Sequence, residues 1–366
     1  MSLDSGLIDC SLVKQLVGEW ARNRTQPFPF ARIGEHLATC LDCLAWVTET
    51  AHRPAEHYLQ TLQLRLSDLL RLIGESLLRA WSQHQDAHMH FVVEPKAVPE
   101  VKRKTLGFLR RYESFSDQTR TEAERIRTIM AASEPSALAL RLEPYELTRY
   151  FLDTALRMLG QAEGRLLLQL YLAQTEIYQA ASERKAEHHD RAAEHYGLAR
   201  GCFDRIRAED VRRYPGLLRP ENGPRPGELT IEDDRDALVG ARINLAVMLV
   251  QQDQYSETSL HQAIALLFEA RRLITELSLP ESEFLPVFDN LLIYYLRLFL
   301  DHGSDQSYRE ARRLAEEICG APELATPFLK DYITADRDPA LTRLLRDPGA
   351  VELASYLQDQ AKRRGA

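Results

Sequence analysis

Apolar residues return at steps of three and four along almost the whole chain, the period of an amphipathic helix. Residues 7–22 predict a short first helix, which the segment TQPFPF ends, and residues 32–50 predict a second. The longest pattern follows Pro54. Leu59, Leu62, Leu66, Leu69, Ile73 and Leu77 form a seam there, and Leu70 and Leu78 widen it. A pair of short helices is too small to cover such a stripe. Two readings therefore stay open: the seam packs against its own neighbours, or it grips a partner.

The pattern lapses over residues 82–103, where Pro95 and Pro99 push their preceding residues out of the α region. This stretch is expected to be a boundary. From about residue 101 the helical text resumes, with amphipathic stretches at 101–131, 145–160, 163–182 and 185–206. It is interrupted by a segment near 213–236 with four prolines and three glycines in 25 residues. A loop of that length inside a compact domain is usually functional or mobile.

Beyond it the chain repeats itself. Asn244, Leu245, Ala246, Leu249 and Tyr255 precede Ala263, Ile264, Leu267, Ala270 and Leu273. Asn290, Leu291, Leu292, Tyr295 and Tyr308 precede Ala311, Leu314, Ala315 and Ile318. Small residues such as Ala246, Ala263 and Ala270 suit places where helices approach closely. The predicted fold is all-α: a small helical module over 1–85, a linker over 86–103, and helical repeats over 104–366.

Composition narrows the function. The chain of 366 residues is 45% hydrophobic and 27% charged, as in ordinary globular proteins, and its length suits two or three domains. A net charge of −8 argues against nonspecific nucleic-acid binding as the main task. No signal peptide is read at the start and no apolar run approaches a membrane span, so the expected location is cytoplasmic. Five cysteines, three near the start and two isolated at Cys202 and Cys319, do not make a disulfide framework and point to a reducing compartment.

Those three cysteines carry the candidate chemistry. His36 and Cys40 are four apart and Cys40 and Cys43 three apart, so a continuous helix over 33–48 puts all three on one face. Cys10, arriving from the preceding helix, can supply a fourth ligand to a tetrahedral Zn2+ site. The alternative is a pair of buried free thiols beside a solvated histidine. No catalytic constellation accompanies the cluster: there is no phosphate-binding glycine loop, HExxH or GxSxG. The polar group around His188, His189, Glu194 and His195 fits a solvated helix face better than a metal-dependent active site. His84, His88 and His90 lack a fourth ligand and fit a solvated linker. An enzyme is therefore not expected.

The run HLATCLDCLAWV, with Cys10 upstream, resembles the zinc-binding anti-sigma factor domain, over about residues 5–85. That resemblance implies zinc held by Cys10, His36, Cys40 and Cys43, and sequestration of an extracytoplasmic-function-type sigma factor. It also implies a redox-sensitive release, with a disulfide from Cys10 to Cys43 or Cys40, and offers the Leu59–Leu77 helix as the grip. The segment RNRTQPFPFARIG, with its two prolines and two phenylalanines, departs from the family between the ligand helices. The later repeats resemble the tetratricopeptide repeat, although their spacing of 46 to 48 residues exceeds the usual period. The C-terminal TADRDPALTRLLRDPGAVELASYL resembles a segment that closes such arrays, whose last repeat needs a cap. By that resemblance Asn244 and Asn290 fall where such domains face a peptide groove, so a second protein, a peptide or a protease is the expected partner there. The competing expectation is a tetratricopeptide-like interaction scaffold whose zinc is purely structural.

Overall fold

The computed structural model describes residues 9–22, 33, 36–37, 40, 42–43, 46–47, 52–82, 98–132, 144–160, 164–213, 232–330 and 339–365. Among these the architecture is all-α, with fourteen α-helices and no strand. No described helix is long and apolar enough to cross a membrane. The chain forms two compact units. One holds residues 1–84 and 90–160; the other holds residues 85–89 and 161–366.

The first unit contains α1 (Cys10–Arg22), α2 (His52–Ser82), α3 (Val98–Tyr112), α4 (Asp117–Ala132) and α5 (Pro144–Leu159). The expected boundary at 86–103 is thus not where the units divide. Residues 98–159 belong with the N-terminal helices, because α2 packs along α5 and α3. The α2–α5 crossing is close. A Cβ on Gly74 would lie 2.8 Å from Leu152 Cδ2, and the Ser67 hydroxyl donates to the Ala155 carbonyl at 2.9 Å. Here the seam finds its cover. Leu62, Leu66, Leu70, Ile73 and Leu78 are buried, while Leu59, Leu69 and Leu77 lie half-buried at its edges. Between α3 and α4, Ser116 and Thr119 cap each other's amides reciprocally, and Tyr112 donates to Glu122 at 2.7 Å.

The second unit is built from helical hairpins: α6 (Arg165–Lys185) with α7 (His189–Arg213), α8 (Glu232–Gln252) with α9 (Glu257–Glu276), and α10 (Phe284–His302) with α11 (Asp305–Gly320). Each hairpin's second helix buries the same stripe. Ala192, Tyr196 and Ala199 in α7, Ala263, Leu267 and Ala270 in α9, and Ala311, Ala315 and Ile318 in α11 are all buried at steps of four and three. Two of these copies, α8–α9 and α10–α11, are legible in the sequence. The earlier hairpin, α6–α7, is separated from them along the chain by the proline-rich segment, most of which lies outside the described residues. Two of the turns are built alike. Ser256 and Ser304 each cap the following helix by accepting an amide hydrogen bond, from Ser259 and Ser307 respectively.

Helix α6 buries polar residues that α7 satisfies. Gln169 accepts from Arg205 Nε at 3.1 Å, and Glu176 meets His195 Nδ1 at 2.7 Å. His195 is therefore largely covered and paired across the hairpin, not on a solvated face. Between α7 and α8, the nearly fully buried Arg242 and Asp210 form an ion pair, with Glu269 of α9 3.7 Å from Arg242 Nε. Beyond α11 come α12 (Pro322–Phe328), α13 (Pro339–Leu345) and α14 (Val351–Arg364). Helix α13 packs on α10 and α14 on α11, burying Leu341, Leu344, Leu353 and Leu357. The last hairpin is covered by this C-terminal segment.

Candidate metal centre

Asp9 starts the site by capping α1: its carboxylate accepts from the Leu12 amide at 2.8 Å. That fixes Cys10 in the first turn, exposed, while Val13 and Val17 on the same helix are buried. The ligand stretch differs from the predicted continuous helix. His36 and Leu37 are helical, as are Asp42 and Cys43, but Cys40 stands outside helix between them. The Cys40 amide still donates to the His36 carbonyl at 2.8 Å, which holds the two ligands one turn apart.

The break serves the chemistry. With Cys40 ahead of the helical residues Asp42 and Cys43, its sulfur accepts the Cys43 backbone amide in the manner of an N-cap. That bond, with smaller help from Cys10, Cys43 and His36, outweighs partial burial and lowers the Cys40 thiol to about 7. Cys43 goes the other way. Burial, followed by the neighbouring thiols, pushes it up to about 12. The centre thus joins a sulfur near its thiolate form to one that surrenders its proton only to a strong electrophile.

All four sequence-predicted ligands come together. One ligand atom from each of Cys10, His36, Cys40 and Cys43 lies within 4.8 Å of the others, and the Cys10 and Cys40 sulfurs are 3.6 Å apart. Three sulfurs and an imidazole nitrogen at these separations can hold a metal ion. They sit on a small core of Val13, Val17, Ile33, Leu37, Cys43, Val47 and Leu62, against which Trp46, Phe108 and Phe115 pack. The two phenylalanines come from α3 and its following turn, outside the expected 1–85 module. The sequence signal for Phe108 is its place on the apolar side of a helix whose other side is basic; Phe115, in the turn, has no comparable signal.

Of the other predicted site residues, Leu62 joins the core beneath this site. Leu62, Leu66 and Ile73 are interior, while Leu59, Leu69 and Leu77 are half-buried. Asn244 and Asn290 are also buried, and the Asn290 amide donates to the Pro286 carbonyl one turn back at 2.8 Å. His188 pairs with Glu183 at 2.8 Å and His195 with Glu176, each within the α6–α7 hairpin. His84, His88 and His90 lie outside the described residues. No protein-family model, curated protein or solved structure matches this chain.

Proposed function

We propose that this chain is a non-catalytic, protein-binding regulator whose N-terminal unit holds one zinc ion and binds a sigma factor of the extracytoplasmic-function type. The observation that supports this reading is the convergence of Cys10, His36, Cys40 and Cys43 within 4.8 Å. A tetrahedron with bonds of about 2.3 Å to sulfur has sulfur–sulfur edges of about 3.8 Å. The 3.6 Å between the Cys10 and Cys40 sulfurs is close to that edge. Soft thiolates with one imidazole favour zinc among the common divalent ions. Zinc bound here would hold α1 to the following ligand stretch and so shape the surface around them. Four protein ligands would leave no open coordination position, which makes the metal a staple and not a Lewis acid.

The sigma-factor partner rests on the resemblance carried by HLATCLDCLAWV together with Cys10. Sequestration needs no chemistry, only an interface able to outcompete polymerase. The test is co-purification of the full chain with a co-expressed sigma factor of this type. A complex that forms with the wild type and is lost in Cys40→Ser with Cys43→Ser supports the reading. Absence of a complex, or one indifferent to those substitutions, rejects it.

A second reading is favoured by the buried seam: an interaction scaffold in which the zinc is structural and the partner an unrelated protein. Because Leu62, Leu66 and Ile73 are interior, Leu66→Ala should lower stability without selectively removing a partner. A sigma-factor complex lost on Leu66→Ala at unchanged melting temperature would rule the scaffold out.

A further inference from the structure

We propose that the outer face of α3 is a docking surface for an acidic, amphipathic segment of a partner protein. Helix α3 carries Lys102, Arg103, Lys104, Arg110 and Arg111 against a single acid, Glu100, in a chain whose net charge is −8. Its inner face is committed: Val101, Thr105, Leu109 and Tyr112 are buried. The outer face presents Arg103, Lys104 and Arg110, with Leu106 41% exposed among them. Glu100 binds Arg103 through two hydrogen bonds, at 2.8 and 2.6 Å, and lies 3.7 Å from Lys104. The Arg111 guanidinium lies over the Phe108 ring, 5.4 Å from its centroid, which holds that cation in place.

Leu106 and Gly107 decide the class of partner. Nothing lies within 4 Å of where a Gly107 Cβ would be, so the middle of the face is a shallow notch edged by cations and one leucine. From Arg103 to Arg111 the face runs about 12 Å, two turns of helix. A carboxylate-rich segment with one apolar anchor matches that alternation of charge and grease. A nucleic-acid backbone would gain from the cations, but it leaves Leu106 unmatched and meets an acidic protein overall. The surface is also wired to the metal centre, because the Phe108 ring that carries Arg111 packs against the core holding Cys40 and Cys43.

The experiment uses the full chain and a labelled synthetic helix of about 18 residues with a glutamate face and a leucine face, in about 0.15 M salt. Its counterpart with lysine for glutamate, a single-stranded RNA and a DNA duplex of similar length serve as competitors. Binding of the acidic helix is expected, and Lys104→Glu with Arg110→Glu and Arg111→Glu should weaken it by about tenfold or more. Leu106→Ala should weaken it about threefold. Lys362→Glu with Arg363→Glu, on the basic end of α14, should leave it unchanged. No binding by the wild type, equal binding by the triple variant or the lysine helix, or tighter binding of either nucleic acid would overturn the proposal. If the triple variant fails to fold, Leu106→Ala and Gly107→Leu, both compatible with an exposed helix, decide the matter by the same readout. The surface stands apart from the sigma-factor reading. Peptide binding with a failed sigma-factor co-purification rejects that partner alone, and the reverse result rejects the surface alone.

Discussion

The metal-centre module and the hairpin unit solve the same problem with different means. Around Cys10–Val47 the apolar core is a handful of side chains, and one of the four candidate ligands, Cys40, stands outside helix. In the second unit three hairpins bury a stripe of small and large apolar residues at steps of four and three, and polar groups caught inside, such as Gln169 and Glu176, are paired across helices. Small cores are marginal because too little surface leaves water, so the first region would gain from an added cross-link, which a metal held by the four side chains would supply. The hairpins need none. Their contacts lie between sequence neighbours, and stability accumulates from repeat to repeat.

The sharpest break of that contrast is removal of the metal. Zinc held by a small four-ligand site contributes about 10–16 kcal/mol to folding in isolated modules. Chelation, or Cys40→Ser with Cys43→Ser, should therefore release one metal equivalent and expose residues 10–47 to protease. The hairpin unit should stay resistant, as limited proteolysis with mass spectrometry would read out. Loss of protection in both regions together would show that the contrast is wrong. Proton linkage gives the same site a sign. Metal binding must displace the proton of Cys43, whose thiol sits at about 12, at any physiological pH, and that of Cys40, at about 7, only below that value. Apparent affinity should rise with pH, and more steeply from 6 to 7 than from 7 to 8, in a competition titration with a chromogenic chelator.

The second break targets the hairpins. Arg242→Leu leaves the Asp210 carboxylate in the interior without its partner, a loss of about 3–5 kcal/mol. Burial already pushes Asp210 up, with Arg242 and Arg207 pulling it back. In the variant its folded-state value rises further above the unfolded one. The deficit should then be smallest at about pH 2–3, below the ordinary Asp value of about 3.9, where the acid is neutral in both states, and grow toward neutral pH. Denaturant melts at both pH values check this, and Asp210→Leu added to Arg242→Leu should restore most of the loss. A defect that is flat with pH would remove Asp210 as its cause.

What could be read beforehand, and what could not, follows the same division. The all-α class and the four ligands were legible because helical periodicity and metal-ligand spacing are local properties of the chain. The seam was legible as a stripe, but not its cover: α5 lies some 80 residues downstream, and nothing local in Leu59–Leu77 says whether a partner or Leu152 meets it. The division into compact units was hidden for the same reason. Pro95 and Pro99 read as a break in the pattern, yet Pro99 falls in the first turn of α3, and α3 and α5 both pack on α2. Asn244 and Asn290 looked like groove residues by position alone, whereas their burial depends on neighbouring helices. The Cys40 break was hidden because the segment's periodicity runs straight through it.

A smaller effect tests the first unit's dependence on close packing away from the metal. Gly74→Ala adds a carbon 2.8 to 2.9 Å from the Leu152 side chain, itself fully buried. Alanine improves helix propensity by about 1 kcal/mol, and overpacking costs about 1–3 kcal/mol. Because the buried Leu152 side chain must shift to admit the new carbon, a net destabilisation of about 1 kcal/mol is expected. A variant as stable as the parent would mean that α2 and α5 part more easily than their crossing implies.

The smallest effect is the most discriminating for the repeat. Ser256 and Ser304 stand at equivalent turns, each accepting from the amide three residues on, and each hydroxyl also meets that of its partner serine. The flanking geometry differs: Gln254 and Tyr255 take positive φ at one turn, Gly303 at the other. If the hairpins are true repeats, the caps carry equal weight despite that difference. Ser256→Ala and Ser304→Ala should each cost about 1 kcal/mol. The double variant should lose the sum, since the turns share no cap. Unequal losses would place the strain of Gln254 and Tyr255 in the balance, because a cap that holds two left-handed residues does more than satisfy one amide. Thermal melts of the three variants measure whether this unit is built from repeating parts or only from parts that look alike.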